Sequence, residues 1–538
     1  MKVNKILVGS MALLAFAACK NDKQPTQTGD TYARVTVGFA DQLRQDTNGQ
    51  GEEAGYAGTS IEDKFTSLDF LSSGSGSVQS LTKASSTENP VTYTSSAFKT
   101  NSGAQAMGLA LNLASRTNLT AKYADLMTNP ATFTYPVGAI SYTGVSDFYN
   151  ATDFLMISDI KNKTIAKKTE DEVKAAEVTD ETNNNFQMEL ERVVAKGVVY
   201  TTLEGVDGKI ATTNNDQYKG KIVASSIQYT PGNVALKTFV ARNNAGTRQI
   251  ANLTTAPAYT GFKAAVNLEN TADLESAADA ADAFILRLGN AGNEAKADGV
   301  WAAKNVVKST DAVTNYAANA TKEGFYFFES SYTAGWNATN GVNGYDVLPY
   351  AKVYVQYVPD AVLVYNNTSK AFETNTLANI AANAAGAYST EAVTAATAGT
   401  FYKGLNDGKL YAAKYQQDKP LAADREITPT TPNKEYYTYA GGKCGYRALW
   451  NRLEVSNVVA YASIRRNNVY VLNITEFAGL GFPWDPSDPS DPNLPKPDDD
   501  PSDDPTDDDI NETENYMRVT AKVLKWNVLG RDVKLKNL

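Results

Sequence analysis

The side chains that usually carry enzymatic chemistry are sparse in this chain. Its 538 residues include no histidine, which excludes Ser-His-Asp and Cys-His catalysis and any histidine metal ligand. Lysine, tyrosine and carboxylates remain, but no particular carboxylate pair stands out. Ser80–Lys83 fits an S-x-x-K pattern without the companion motifs of that chemistry, and Gly441–Lys443 lacks the spacing of a phosphate-binding loop. We therefore expect no cofactor and no enzymatic activity.

The two cysteines, Cys19 and Cys444, differ in their surroundings. Cys19 follows a lysine-containing start and an apolar stretch, residues 6–18, that is too short to span a bilayer. This order is typical of an export signal, and the small residues before Cys19 are similar to the lipobox of bacterial lipoproteins. We expect residues 1–18 to be a signal peptide and Cys19 to be lipidated; an ordinary signal with an incidental cysteine is the alternative. Cys444 is expected to be buried rather than nucleophilic.

One arginine stands in a polar stretch that contains glycine, residues 41–51. Arg44 is the only basic residue in that stretch. Such a composition is typical of an exposed loop that proteases can reach. A trypsin-like cut between Arg44 and Gln45 would release residues 19–44 as a propeptide. The alternative is that Arg44 is an ordinary solvated charge.

Two short segments at opposite ends of the chain share a pattern. Segments 32–36 and 516–520 both read Tyr-x-Arg-Val-Thr, and both alternate apolar and polar residues, as half-buried β-strands do. We expect the two strands to fill the same position in a sheet, so that one replaces the other, the replacement coming from a neighbouring molecule; chance similarity is the alternative. The early apolar face is Ala33, Val35, Val37 and Phe39, and the late one is Met517, Val519, Ala521 and Val523, followed by Leu524, Trp526 and Val528. The change of face after Val523 predicts a bulge or a bend.

An acidic, proline-rich tether precedes the final strand. Residues 485–514 contain eleven Asp, two Glu and seven Pro against one Lys. Such a segment cannot bury a core, and at about 3.1 Å per residue it could extend over roughly 90 Å. Residues 515–538 are too few to build a core alone. We therefore expect the final strand to lack a sheet of its own.

Composition favours a mainly β globular chain. Apolar residues make up 42% and charged residues 20%, and abundant Thr, Tyr and Gly favour strands and loops over long helices. The predicted fold is two β-sandwich-like domains with minor helices, residues 45–250 and 251–484, plus a tethered C-terminal donor strand. The net charge of -10 without a basic patch argues against nucleic acid as a partner.

Hydrophobic patterns predict individual elements within the body. The predicted helices cover residues 104–127, as one helix or a helix pair, and residues 267–288 and 377–388. The predicted strands include residues 186–202, 350–358 and 469–477, and a strand pair at 221–227 and 234–242 joined by a turn at 231–233.

Several stretches together resemble a known family. They are residues 466–470, 479–486, 190–196 and 516–526, the acidic tether, and the order of export signal, early strand and arginine-containing loop. On these stretches the chain resembles the fimbrillins of Bacteroidales, the type V pilins, and among them the shaft subunits. Pro483 departs from the family pattern, in which a polar residue is expected.

The resemblance implies a mechanism of assembly. The precursor would be a lipoprotein anchored in the outer membrane through Cys19, and an Arg-specific protease would cut after Arg44. Loss of the early strand would open a groove that the C-terminal strand of another subunit fills, building a surface fimbria that supports adhesion. The implied partners are further copies of the chain, accessory anchor and tip subunits, the protease, and host or bacterial surface receptors.

Two other functions stay open at this point. The chain could be a surface lipoprotein that binds glycans through its tyrosine-rich surface without polymerising. It could also be a secreted glycosidase that uses two carboxylates. Deleting residues 515–538 distinguishes these from a polymerising subunit, since only polymerisation depends on the final strand.

Overall fold

A computed structural model shows a mainly β chain with few helices, which confirms the predicted fold class. The residues that the structure describes are 29–39, 56–57, 62, 64, 66–74, 77–81, 93–113, 139–141, 153–158, 161–213, 218–232, 234–235, 237–239, 247–248, 259–260, 284–285, 304–309, 323–328, 350–404, 407–414, 436–450, 464, 466–483 and 517–527.

The strands of the first part of the chain alternate with short turns and one helix. In chain order they are β1 (Thr31–Phe39), β2 (Tyr56–Ala57), β3 (Leu68–Ser72), β4 (Ser77–Leu81), β5 (Tyr93–Thr94), β6 (Phe98–Thr100), β7 (Gly103–Leu111), β8 (Ala139–Ser141), β9 (Met156–Ser158), β10 (Lys161–Ile165), β11 (Asn185–Arg192), β12 (Ala195–Thr201) and β13 (Lys209–Ala211). Helix α1 (Glu170–Ala175) lies between β10 and β11.

The remaining strands include several of only two or three residues. They are β14 (Gly220–Val223), β15 (Gln228–Gly232), β16 (Val234–Ala235), β17 (Lys237–Phe239), β18 (Thr247–Arg248), β19 (Tyr259–Thr260), β20 (Phe284–Ile285), β21 (Lys304–Asn305), β22 (Val307–Lys308), β23 (Phe325–Phe327), β24 (Tyr350–Pro359), β25 (Val362–Asn366), β26 (Ala371–Asn375), β27 (Phe401–Gly404), β28 (Leu410–Tyr411), β29 (Tyr436–Tyr439), β30 (Lys443–Leu449), β31 (Asn468–Phe477), β32 (Phe482–Pro483) and β33 (Met517–Asn527). Helices α2 (Leu377–Ala382) and α3 (Thr390–Thr397) lie between β26 and β27.

The first sheet holds β1. Its strands run in the order β4-β3-β7-β9-β11-β1-β5, with β10 beside β7 and β6 beside β1. Alternate side chains of these strands share one apolar core, in which the rings of Phe70 and Phe98 lie 4.9 Å apart. This core is distinct from a larger cluster, which the other sheets share with residues from the opposite face of the first sheet such as Leu71, Ala110 and Ile157.

The helix predicted for residues 104–127 is wrong where the structure describes it. Gly103–Leu111 is strand β7, which pairs with β3 and β10. Met107, Leu109 and Leu111 recur every second residue and all are fully buried, which is the period of a strand rather than of a helix. Residues 114–127 lie outside the described part of the chain.

The second sheet holds the C-terminal strand. Its order is β2-β33-β31-β12-β22, with β23 also paired to β12. β31 is buried on both faces from Asn468 to Ile474, as its nearly continuous apolar sequence predicts. The single strand predicted for residues 186–202 is in fact two, β11 in the first sheet and β12 in the second, because the chain changes sheets at the buried pair Val193 and Val194.

The third sheet is built around β24. One edge of β24 pairs with β30, and β15 and β14 lie end to end along the other. The predicted pair at 221–227 and 234–242 is therefore wrong, and so is the predicted turn, since Pro231 lies within β15 opposite Ala351. Proline is tolerated there because β21, the outer neighbour, pairs only with Gln228 and Tyr229.

The fourth sheet, β26-β25-β28-β27-β29, packs with α2 and α3. Helix α2 begins after Thr376, whose hydroxyl accepts a hydrogen bond from the Asn379 N–H at 3.2 Å. It ends at Asn383, which adopts a left-handed conformation with φ 41°, so the helix predicted for 377–388 is confirmed but shorter.

The amphipathic helix predicted for residues 267–288 is contradicted at Phe284–Ile285. These residues form β20, which pairs with β16. The other residues of that prediction lie outside the described part of the chain. Among the described residues, no helix has the length and apolar character needed to cross a bilayer.

Candidate functional site

Strand β1 lies inside the first sheet with neighbours on both edges. On one edge it runs parallel to β11, from the pair Arg34–Asn185 to the pair Phe39–Leu190. On the other edge it is antiparallel to β6 near its start and to β5 further along. Removal of β1 would therefore leave the backbone groups of three strands without their partners.

The inward face of β1 contributes to the core of the first sheet. Ala33, Val35 and Val37 are fully buried among side chains of β3, β7 and β11. Burying a valine stabilises a fold by roughly 1.5–3 kcal/mol, so this face makes a substantial contribution. Phe39 pairs with Leu190 through its backbone, and the structure does not describe its side chain.

The outward face of β1 is held by specific polar contacts. The Arg34 Nε donates to Asn185 Oδ1 at 2.7 Å, and its Nη2 donates to the Ala176 carbonyl, also at 2.7 Å. The hydroxyls of Thr36 and Thr94 lie 3.1 Å apart. These contacts fix the register of β1 against β11 on one side and β5 on the other.

The start of β1 is tied to the segment that carries α1. The Thr31 hydroxyl donates to the Ala166 carbonyl at 2.7 Å and accepts from the Lys168 N–H at 2.8 Å. Asn184 Nδ2 donates to the Tyr32 carbonyl at 2.8 Å. The segment between β10 and β11 therefore forms a wall along the position of β1.

Helix α1 in this wall is closed by a capping box. The Glu172 N–H donates to Thr169 Oγ1 at 3.3 Å, while the Thr169 N–H donates to Glu172 Oε2 at 2.8 Å. The hydrogen bonds from Thr169 hold the pKa of Glu172 below its usual value, so this carboxylate stays charged at the helix N-terminus, where the helix dipole favours a negative charge.

Without β1, this part of the sheet would be a groove. Its floor would be the apolar core under Val35 and Val37, and its walls would be the free edges of β11 and of β5 with β6. An exposed apolar floor between two unpaired strand edges is a template for another strand. The shape that β1 leaves therefore suits a β-strand with one apolar face.

The C-terminal strand β33 occupies a different position. It lies antiparallel to β31, from the pair Asn468–Lys525 to the pair Phe477–Met517, and parallel to the two residues of β2. The expectation that this strand lacks a sheet of its own is therefore wrong for this structure. The physical reason is that β31 offers an otherwise open edge, which its own chain covers.

The register of β33 is continuous at the change of apolar face. Val523 and Leu524 lie opposite Tyr470 and Val469 without a shift. The irregularity falls instead on β31, between Ile474 and Glu476. The predicted bulge at Val523 is therefore absent, and the pair of strands has its irregularity on β31 instead.

The predicted site residues fall into three groups. Strand β1 belongs to the first sheet and β33 to the second, so no described pairing joins them. Met517 is buried, whereas the structure does not describe the side chains of the other predicted donor residues up to Trp526. Cys19, Arg44, Gln45 and Val528 lie outside the described part of the chain.

A buried ion pair that the sequence did not predict lies between the two sheets. Glu62 and Lys196 are almost fully enclosed, and Lys196 Nζ lies 2.9 Å from Glu62 Oε1. The Tyr326 hydroxyl donates to the same oxygen at 2.6 Å. Burial lowers the pKa of Lys196, and the nearby Glu62 carboxylate opposes that shift. In the sequence, the only indication of this ion pair is the position of Lys196 within an apolar run.

The same junction joins two of the stretches on which the family resemblance rests. The Asn467 side-chain oxygen accepts from the Arg192 N–H at 3.2 Å and from Arg192 Nη1 at 3.1 Å. Arg192 Nε donates to the Glu62 carbonyl at 3.2 Å. Arg466 and Glu191 form a further buried pair, with 3.9 Å between nitrogen and oxygen. Residues 190–196 and 466–470 are therefore partners across the junction.

Cys444 is buried, as the sequence predicts. Cys444 is fully buried in β30, and burial raises the pKa of its thiol to about 12. Its sulfur lies 4.0 Å from the Tyr446 hydroxyl. Within the described ranges, no three His, Cys, Asp or Glu side chains gather in a way that could hold a metal ion.

Comparison with known proteins finds similarity in structure only. No family model matches the chain, and no curated protein matches it. A fimbrilin of Porphyromonas gingivalis is similar at 14% identity and a TM-score of 0.37, covering 92% of this chain and 98% of that one. A proposed cell adhesion protein of Parabacteroides distasonis is similar at 12% identity and a TM-score of 0.41, covering 92% of this chain and 100% of that one.

A tip fimbrial protein of Porphyromonas gingivalis with a C-terminal truncation is also similar, at 11% identity and a TM-score of 0.30. The match covers 92% of this chain and 100% of that chain. The chain is thus similar to fimbrillin structures along most of its length, but only distantly.

Proposed function

We propose that this chain is a structural subunit of a bacterial surface fimbria that polymerises by exchange of β-strands and supports adhesion. In this proposal the precursor is a lipoprotein anchored through Cys19, located at the outer membrane until it is processed. The assembled subunit is a shaft component, since it both accepts a strand and donates one.

The observation that carries the proposal is the place of β1 in the fold. A nine-residue strand near the start of the chain fills the space between β11 and the pair β5 and β6, and its inward side chains are part of the core. A single arginine, Arg44, follows it in a polar stretch. One cut there would separate this strand from the rest of the fold.

The exchange step uses the strand that shares the pattern of β1. After a cut between Arg44 and Gln45, β1 dissociates and the groove takes the C-terminal strand of a second copy. In the same direction as β1, Met517, Val519, Ala521 and Val523 take the places of Ala33, Val35, Val37 and Phe39. Leu524, Trp526 and Val528 then extend the contact beyond the end of β1.

The exchange also requires β33 to leave β31 of its own chain. The tether of residues 485–514 is acidic and rich in proline, which favours an extended chain that can reach a neighbour. Anchor and tip subunits, an Arg-specific protease and surface receptors are the further partners that this proposal involves.

The test is the fate of an Arg44→Ala precursor. We expect it to be exported and lipidated but to remain monomeric, because β1 stays in place. N-terminal sequencing of surface material and gel electrophoresis of undissociated polymers measure both steps. Arg425→Ala, in another polar stretch, is the matched control and should polymerise normally. Normal filaments from the Arg44→Ala chain would overturn the assigned cut.

A chain lacking residues 515–538 tests the donor strand separately. It should be cut normally and yet form no polymer. If it still forms filaments, strand exchange through the C-terminus is wrong. If it binds glycans as a stable monomer on the cell, the alternative of a non-polymerising lipoprotein gains support.

A further inference from the structure

The groove position beside Glu189 is occupied by a residue without a side chain. Gly38 of β1 lies directly opposite Glu189 of β11 in the parallel register. Along β11, Phe186, Met188 and Leu190 are buried in the core, whereas Glu189 is partly exposed. Glu189 therefore belongs to the outward face of the sheet, the face that also carries Arg34 and Thr36.

The final strand places a basic residue at this position. When the two Tyr-x-Arg-Val-Thr segments are superimposed, Arg518 takes the place of Arg34, Thr520 that of Thr36, and Lys522 that of Gly38. A lysine would thus stand where β1 has only hydrogen. Opposite charges on neighbouring strands attract when they lie directly across from each other.

The C-terminal segment is also basic as a whole. Residues 516–538 contain six basic residues and one acidic residue, in a chain whose net charge is -10. In the wall beside β1, the carboxylates of Glu170 and Glu172 are already paired with Lys174 and Lys168. The complementarity therefore lies between the basic strand and the acidic chain as a whole, and complementary charge speeds encounter and selects the partner.

We propose that Glu189 is a recognition residue that pairs with Lys522 of the C-terminal strand of a second copy of this chain. The inference rests on the proposed function. It adds that Lys522 places a basic side chain beside Glu189 where Gly38 of β1 has none, which favours the incoming strand over the one it replaces.

Charge exchange in the full chain tests this contact. Glu189→Lys and Lys522→Glu should each slow polymer growth after the Arg-specific cut by about tenfold at low salt, since each places like charges opposite one another. A chain carrying both changes should recover most of the wild-type rate, because the pair is restored with its charges exchanged. Polymer growth is followed by light scattering, and high salt should reduce the differences.

Two matched variants control for net charge. Glu204→Lys alters an exposed carboxylate that is paired with Lys308, away from the groove, and Lys525→Glu alters a donor residue that falls beyond the end of β1 in the superimposed register. Lys522→Glu should not rescue Glu204→Lys, and Lys525→Glu should not rescue Glu189→Lys. Melting curves of each uncut precursor show whether the variant has folded.

The outcomes separate the inference from the proposed function. Recovery in the double variant alone supports the Glu189–Lys522 pair. Additive losses without recovery would overturn it while leaving strand exchange intact. Recovery of Glu189→Lys by Arg518→Glu instead would overturn the assignment to Lys522 and set the strand in the opposite direction. A wild-type chain that forms no polymer after the cut would overturn the proposed function and this inference together.

Discussion

Strands β1 and β33 have similar sequences but very different positions in the fold. β1 is paired along both edges, and its inward side chains are part of a closed core. β33 pairs with β31 along one edge, and on its other edge the described residues give it only the two-residue strand β2. Strands with a shared pattern thus occupy two different settings, β1 between strands on both edges and β33 mainly along one strand.

This difference shows how one chain can keep two strands of similar sequence in distinct positions. β1 is held by three neighbouring strands and by contacts such as Arg34 with Asn185. It therefore does not leave the sheet readily while the chain still joins it covalently to the rest of the fold. β33 makes nine of its residue pairs with the single strand β31, so it can separate mainly along one edge. In the proposed exchange, the discarded strand is therefore enclosed between neighbours on both edges, and the donated strand is held mainly along one edge.

The largest effect is expected from breaking the buried ion pair that lies between the first and second sheets. Glu62→Ala leaves Lys196 buried without its carboxylate partner, which typically costs about 3–5 kcal/mol of unfolding free energy. Chemical denaturation of the precursor measures it. Glu204→Ala, which removes an exposed partner of Lys308, should have a much smaller effect because solvent screens that pair. Equal losses from the two variants would contradict the structural role of Glu62.

The next largest effect compares β1 with β31, a strand that remains in the chain after the proposed cut. Val37→Ala should lower the unfolding free energy of the precursor by roughly 2 kcal/mol, because it opens a cavity in the core. It should leave the chain that has been cut at Arg44 and has released β1 unchanged. Val471→Ala on β31 is the matched variant, since Val471 is equally buried. It should destabilise the chain before and after the cut, and a Val37→Ala effect that persists after β1 is removed would count against the proposal.

A smaller effect concerns the wall beside β1. Thr169→Ala removes the capping box of α1 and should cost about 1 kcal/mol. Hydrogen exchange should increase in α1 and in the first residues of β1, which are bonded to Lys168. Ser389→Ala removes a similar cap from α3, far along the chain, and should leave exchange in β1 unchanged. Increased exchange in β1 from both variants would mean that the wall has no special role.

The smallest effect is expected at Cys444. Burial raises the pKa of its thiol to about 12, so at pH 8 the thiolate fraction is very low and the sulfur is enclosed. A thiol reagent should leave the native precursor unlabelled and should label it fully in denaturant. Labelling that follows the loss of β1 would contradict this expectation and would show that the surroundings of Cys444 open when β1 leaves the first sheet.

The sequence predicts strands well where residues alternate or where β-branched and aromatic residues are concentrated. β1 follows its predicted segment because it alternates, and β24 and β31 follow theirs because they are rich in Val and Tyr. The helix predicted for residues 104–127 is wrong, since small residues among the apolar ones obscured the two-residue period of Met107, Leu109 and Leu111. The pair predicted around Pro231 is also wrong, because a proline at an open strand edge has the same sequence signature as a turn.

The sequence shows much less of the contacts between distant segments. Glu62 lies in a stretch without periodicity, and its pairing with Lys196 depends on how the first and second sheets approach each other. Similarly, the sequence shows that β33 needs a partner but does not show that β31 provides one. Partner choice among strands depends on tertiary geometry, which local pattern does not encode.

The tether gives the pairing of β33 with β31 a particular consequence. Because both strands belong to one chain, β31 meets β33 at an effective concentration that the tether sets, and diluting the protein does not change it. In the proposed exchange, the groove of another copy has to compete with β31 for the same strand β33. β31 would then act as an intramolecular competitor, and a higher local concentration of copies would shift β33 from β31 of its own chain towards the groove of a neighbour.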